Sequence, residues 1–123
     1  MIRYKVVTPN RKSYIAGKLK HYSLEYQKGK IVVSKENTFG IFCFKSYKQA
    51  KDFCEGSEVD NLILEVQSIG KGFEPSKVSR IITSREIKMF YNYLEKKDHK
   101  EYLQNYEFPP PGTVCYKKVR VLT

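Results

Sequence analysis

The sequence has too few cysteines, too widely spaced, for a disulfide framework or a structural zinc site. Its three cysteines, Cys43, Cys54 and Cys115, form no Cys-x-x-Cys pair, and their number is odd. Each lies beside apolar or aromatic residues, which predicts small buried side chains in a reducing compartment. The two histidines, His21 and His99, belong to no recognisable nucleophile motif, so the sequence assigns no base to any thiol.

The chain also lacks a long apolar run. Nowhere do 18 apolar residues follow one another, and the first residues contain no apolar segment of the signal-peptide kind. We therefore expect a cytoplasmic protein with no membrane partner. Tryptophan is absent, tyrosine occurs ten times and lysine is in excess, a composition typical of AT-rich genes in low-GC bacteria and their phages. For a phage protein, the expected location is the host cytoplasm.

Glycine-rich phosphate loops and paired carboxylates are missing as well. Gly70-Lys71-Gly72 has neither the spacing nor the following helix of a nucleotide-binding loop, and we interpret it as a turn. Asp and Glu residues are scattered, and the sequence pairs none of them as a general acid and base. The sequence therefore identifies no catalytic residue, no metal site and no cofactor.

The length and composition predict one domain over residues 1–123 that folds without disulfides. Hydrophobic residues make up 41% of the chain, and a chain of this size buries roughly 65% of its unfolded surface. Lys and Arg number 23 against 13 Asp and Glu, which gives a formal charge of +10. A field of this sign attracts phosphates, so we expect a nucleotide, a nucleic acid or an acidic protein as partner.

Period-two alternation and short apolar runs predict strands. Apolar and basic side chains mostly alternate over residues 2–7. Residues 39–44 form an apolar run typical of a central strand. Further strands are predicted at 13–16, 18–26, 31–33, 62–66, 78–82 and 114–122, the last with a bulge at Lys117 and Lys118. Lys28-Gly29-Lys30 is typical of the turn that leads into residues 31–33.

Two capping boxes predict two helices. Ser46 and Gln49 begin the first, which ends at Gly56, and Thr83 and Glu86 begin the second, over about residues 84–95. A rigid proline-rich connector follows at residues 109–112. The order of elements indicates an α+β fold with a mixed or mainly antiparallel sheet and two helices.

The densest positive stretch runs over residues 11–30, where lysines are interleaved with tyrosines. Lysines that follow a phosphate backbone and rings on which bases stack are the usual composition of single-strand binding surfaces. The nucleic-acid-binding candidates are Lys18, Lys20, Tyr22 and Lys30. Lys117, Lys118 and Arg120 extend this patch if the last strand lies beside the first hairpins. A solvated lysine-rich face is the competing interpretation.

Ligand-binding candidates flank the predicted core strands. Arg3, Lys5, Lys45 and Arg80 place positive charge where a cleft would offer it to a phosphate. Glu65 lies within the 62–66 strand and should point away from Leu64, either into a groove or onto the sheet surface.

Two segments resemble the core of ADP-ribosyltransferase-like domains, in particular the catalytic core of poly(ADP-ribose) polymerases. The first runs from Phe39-Gly40-Ile41-Phe42 through Ala50, Phe53 and Cys54, and the second is Leu62-Ile63-Leu64-Glu65-Val66. The matching block covers about a quarter of the chain, and because its residues are mostly core-forming, the resemblance implies that fold more than the family's activity on NAD. A separate segment, residues 110–114, is similar to the Pro-Pro-Gly-Thr-Val segment near the end of small phage and bacterial domains.

The resemblance does not extend to the family's active-site residues. Lys5 or a neighbour stands where the family has a histidine, Phe42 stands where it has a tyrosine, and no glutamate begins residues 114–116. The arginine-targeting class would require an Arg, which Arg3 supplies, together with Ser-x-Ser and Glu-x-Glu elements that are absent. These departures imply that the transferase chemistry is lost.

Three functions follow as hypotheses. The first is a non-catalytic binding protein of phage or mobile-element origin that engages a nucleotide, nucleic acid or acidic host protein. The second is a divergent ADP-ribosyltransferase that uses Glu65 or another acid. The third is a protein-only inhibitor of a host enzyme with an apolar contact patch, for which the candidates are Phe90, Tyr91, Tyr93, Tyr102 and Tyr106.

Overall fold

The computed structural model describes residues 1–13, 24–35, 39–56, 60–75, 78–79, 106–107 and 109–123. These residues form an α+β fold with a six-stranded sheet, a two-stranded sheet and one helix. The elements are β1 (Ile2–Val7), β2 (Ile31–Val33), β3 (Ile41–Phe44), α1 (Tyr47–Glu55), β4 (Leu62–Ile69), β5 (Val78–Ser79), β6 (Tyr106–Glu107), β7 (Thr113–Tyr116) and β8 (Lys118–Val121). Every pairing between these strands is antiparallel.

The six-stranded sheet curves back on itself. Its strand order is β2-β8-β4-β1-β3-β7, so β4, β1 and β3 separate β7 from β8 within the sheet. Along the chain, however, Lys117 alone lies between β7 and β8. Adjacent residues cannot be a sheet width apart, since consecutive Cα atoms are about 3.8 Å apart. The edge strand β7 is therefore joined at Lys117 to β8, the neighbour of the other edge strand β2, and the curved sheet has an inner and an outer face.

The inner face carries the larger hydrophobic core. Alternate residues of the strands point into it, together with Tyr26 from the segment before β2. Its buried members are Val7, Tyr26, Val32, Ile41, Cys43, Leu64, Val66, Val114, Tyr116, Val119 and Val121. Because strands from both ends of the sheet contribute, the core requires the curved arrangement.

The outer face is covered by α1 over β1, β3 and the beginning of β4. The Ser46 hydroxyl accepts a hydrogen bond from the Gln49 amide at 3.2 Å, which confirms the predicted N-cap. Ala50 is fully buried against Val6 and Phe44, and Phe53 and Cys54 pack at the margin of this second cluster. The face of α1 that carries Ala50, Phe53 and Cys54 is therefore the face in contact with the sheet.

The strand predictions are largely confirmed, with shifted ends. Residues 2–7 form β1 as predicted, whereas the 39–44 run becomes a strand only from Ile41 because Gly40 has a φ of +109°. A side chain at Gly40 would also lie 2.7 Å from the Tyr116 carbonyl oxygen. β4 continues past residue 66 to Ile69, where Gly70 turns the chain with a φ of +84°.

The predicted bulge in the last strand is an interruption at Lys117, which divides residues 113–121 into β7 and β8. Residues 78–79 form β5, which pairs with β6 in the smaller sheet. Ser13 forms an isolated bridge to Val7, and Glu25 forms one to Lys12. The second predicted helix, and the rest of the strands predicted at 13–16, 18–26 and 78–82, lie outside the described residues.

Candidate functional site

The structure brings two of the predicted ligand candidates to one face. Arg3 and Lys5 alternate with Tyr4 along β1 and share the inner face with Val7. The Arg3 Nε atom donates a hydrogen bond to the Tyr116 hydroxyl at 2.8 Å, and the Lys5 Nζ atom donates one to the Phe42 carbonyl oxygen at 2.8 Å. These contacts tie β1 to the two strands on one side of it, so both cations have a structural role.

Lys5 is a buried amine without a carboxylate partner in the described part of the chain. Burial lowers its pKa, because water stabilises the ammonium form better than the protein interior does. The Nζ atom lies 5.4 Å from the centre of the Tyr26 ring, which faces the positive charge with its π electrons. One carbonyl and one ring therefore lie against the ammonium, and neither is an acid that would neutralise it.

The thiols are not poised for nucleophilic chemistry. Cys43 and Cys115 are buried in the sheet, as the sequence predicted. Burial raises the pKa of Cys43 to about 11 and that of Cys115 to about 12, so both are protonated at neutral pH. Cys54 lies at the margin of the α1 cluster, is only partly buried, and has its pKa raised by the same cause.

The other ligand candidates do not join Arg3 and Lys5. Glu65 points to the outer face, is exposed, and lies opposite the inner-facing Leu64, so its carboxylate is separated from the interior cations by the sheet. The Lys45 ammonium forms a surface ion pair with Glu74. Arg80 lies outside the described residues.

A cluster of exposed cations lies instead on β8 and around β2, at the end of the strand order away from β3 and β7. We name it the basic edge, and it consists of Lys28, Lys30, Lys117, Lys118 and Arg120. Its strands are in register, with Ile31 opposite Arg120 and Val33 opposite Lys118. The turn before β2 is held against β8 by a hydrogen bond from the Gly29 amide to the Val121 carbonyl oxygen at 2.8 Å.

In the basic edge the last strand lies beside β2, the strand that follows the lysine-rich segment 11–30. Lys30 is part of it, whereas the candidates Lys18, Lys20 and Tyr22 lie outside the described residues. Within β2, β4 and β8, Glu65 is the single carboxylate, so little negative charge opposes the cations. Within these three strands, therefore, the cations outnumber the carboxylate.

Sequence reasoning missed the two apolar residues in the middle of the basic edge. The sequence predicted a short strand over residues 31–33 but not that two of its side chains are exposed. Ile31 is 48% exposed and Val33 is 54% exposed. Both point to the outer face, while Val32 between them is buried in the inner core. An apolar run of three residues with Lys30 on one side and Ser34-Lys35 on the other was the available sign of an edge strand.

The described residues thus define an α+β fold whose larger, six-stranded antiparallel sheet has a hydrophobic interior and a basic edge. Among them, no group of three or more His, Cys, Asp or Glu residues could hold a metal ion. No helix in the described ranges is long and apolar enough to cross a membrane. Comparison of the chain with protein-family models, with curated proteins and with solved structures finds no match.

Proposed function

We propose that this chain is a non-catalytic binding protein that engages an acidic protein through its basic edge. The observation that supports the proposal is the concentration of five exposed cations around one short strand and its neighbour, with Glu65 as the single carboxylate of the three strands there. Complementary charge accelerates association and selects partners of opposite sign. If the gene is of phage or mobile-element origin, the partner is a host protein.

An acidic protein fits this edge better than a nucleic acid or a nucleotide does. Single-stranded nucleic acids bind where rings stack on bases, and the outer-face side chains of β2 and β8 are aliphatic or cationic. Ile31 and Val33 supply exposed apolar surface among the cations, and apolar contact framed by charge is typical of protein interfaces. The described part of the edge offers no glycine-rich loop for a phosphate.

The transferase hypothesis is not favoured by the positions of its candidate residues. An acid at Glu65 lies on the outer face, whereas Arg3 and Lys5 lie on the inner face, so a single substrate would not contact all three. The second helix and an ADP-ribosyltransferase-like arrangement rest on the sequence pattern. Stabilisation of the protein by NAD or ADP-ribose in a thermal-shift assay would support them, and we expect none.

The test compares two double charge reversals that change net charge equally. Lys118→Glu with Arg120→Glu alters the basic edge, and Lys48→Glu with Lys51→Glu alters exposed positions on α1. Fluorescently labelled polyglutamate serves as the acidic probe, and its affinity is measured by anisotropy at low and at physiological salt. We expect the edge variant to bind about tenfold or more weakly than the α1 variant.

Two results would overturn the proposal. Equal weakening in both variants would mean that net charge alone attracts the probe. Edge-dependent binding of a labelled single-stranded oligonucleotide, without binding of polyglutamate, would assign the edge to nucleic acid instead. Unchanged thermal melts of both variants establish that the fold is intact in the comparison.

A further inference from the structure

The outward edge of β2 offers unpaired backbone groups. The Val121 amide donates to the Lys30 carbonyl at 3.0 Å, and the Ser34 amide donates to the Lys117 carbonyl at 2.8 Å. Because hydrogen-bonded residues alternate along an antiparallel strand, Val32 is the β2 residue that bonds to β8. The amides and carbonyls of Ile31 and Val33 therefore point away from the sheet, where no strand of the described residues pairs with them.

The opposite edge of the sheet is protected in a way that β2 is not. Phe73 exchanges two backbone hydrogen bonds with Cys115 of β7, at 2.8 and 2.7 Å, and so covers the middle of that edge strand. β2 has no such cover among the described residues, but it is short and bordered by cations. Short length and lysines are common protections of edge strands against pairing with further copies.

Charge decides which occupant suits this edge. A second copy of the chain would bring its own basic edge against the first, and like charges on facing strands destabilise pairing. An acidic segment meets the same cations with opposite charge. Arg120 already leans towards the β2 side, where its Nη1 atom lies 3.5 Å from the Gly29 carbonyl oxygen.

We infer that β2 binds its partner by strand addition. An extended acidic segment of the partner protein lies alongside β2 and bonds to the backbone of Ile31 and Val33, while its carboxylates meet Lys30, Lys118 and Arg120. Main-chain hydrogen bonds supply affinity and the cations supply selectivity, as in other cases of β-augmentation. This inference rests on the proposed function, because it requires an acidic partner at the basic edge, and it adds the mode of recognition.

The probe is a labelled peptide of alternating glutamate and valine, compared with the same peptide methylated on every amide nitrogen. Both peptides have the same charge, but the methylated one has no amide left to donate along either of its edges. We expect the methylated peptide to bind at least about tenfold more weakly, because backbone hydrogen bonds are lost. Equal affinity of the two peptides would overturn strand addition.

A matched pair of variants tests the same point from the side of the protein. Val33→Pro removes an amide that points outward and leaves the β2–β8 bonds in place, whereas Val33→Ala keeps the amide and shortens the side chain. We expect about tenfold weaker peptide binding for Val33→Pro and less than about threefold for Val33→Ala. Equal effects of the two variants, with unchanged thermal melts, would count against backbone pairing.

The combined results distinguish two levels of the hypothesis, the acidic partner at the basic edge and its binding by strand addition. If both peptides bind equally and Lys118→Glu with Arg120→Glu abolishes binding of both, the acidic partner stands and strand addition is wrong. If neither peptide nor polyglutamate binds, the proposed function itself fails. If the unmethylated peptide alone binds and Val33→Pro weakens it, both levels are supported.

Discussion

The outer face of the sheet has two halves that differ in what covers them. Under α1, Val6 and Phe44 are buried against the fully enclosed Ala50. Around β2 and β8 no helix among the described residues covers the sheet, and Ile31 and Val33 are about half exposed among cations. Apolar residues on one sheet therefore differ in role, since those under α1 stabilise the fold by burial and those on β2 leave apolar surface exposed to solvent.

The largest effect that would test this contrast is on thiol reactivity. Cys54 is partly buried at the margin of α1, whereas Cys43 and Cys115 are buried in the sheet. Reaction of the sheet thiols requires the fold to open at a cost of at least about 5 kcal/mol, so we expect them to react about 10³-fold or more slowly than Cys54. The measurement is the rate of reaction with a chromogenic disulfide in native buffer, with a denatured sample as control. Simultaneous reaction of all three would show that the interior is open.

A matched pair of valine truncations measures the two halves directly. Val6→Ala removes buried surface under α1 and should lower the free energy of unfolding by about 2 kcal/mol. Val33→Ala removes surface that is already exposed and should change it by less than about 0.5 kcal/mol. Urea denaturation of both variants gives the values. A large loss for Val33→Ala would mean that the bare half supports the fold.

The smallest expected effect concerns Lys5 and pH. Burial lowers the pKa of Lys5 below its ordinary value of 10.5, so between the two values the unfolded chain binds more protons than the folded one. The amount by which Lys5 lowers the free energy of unfolding therefore becomes smaller as the pH rises. Relative to Lys5→Met, the parent should gain stability between pH 7 and pH 10.

Urea denaturation at both pH values measures this change. Lys51→Met on the exposed side of α1 is the control, because it removes an amine from solvent and should show no such trend. A pH-independent difference between Lys5→Met and the parent would mean that the Lys5 amine is solvated.

The local elements were predictable because their signals are local. Ser46 and Gln49 identified the beginning of α1, and the alternation of residues 2–7 identified β1 to the residue. The curvature of the sheet was not predictable, because it depends on which distant strands meet. Nothing in the run 114–122 reveals that its two parts pair with different strands on either side of Lys117.

The candidate site was predicted only in part, because composition is visible in the sequence and long-range strand pairing is not. Net charge and the lysine-rich sequence indicated a basic surface, and Lys30 belongs to it. Arg3 and Lys5 were expected to offer charge to a ligand, but β1 turns them into the interior, where they bond to Tyr116 and Phe42. Which face a strand residue takes depends on register, and register follows from long-range pairing.

The junction at Lys117 also has a consequence for how the chain is made. β8 completes the sheet by bonding to both β2 and β4, yet it is synthesised after every other described strand. On the ribosome, therefore, β1, β3 and α1 emerge long before β8, the strand that joins β2 to the rest of the sheet. Until then β4 keeps an open edge next to the exposed β2, and the nascent chain must avoid pairing with its neighbours. The lysines around β2 carry like charge, which keeps nascent chains apart during synthesis.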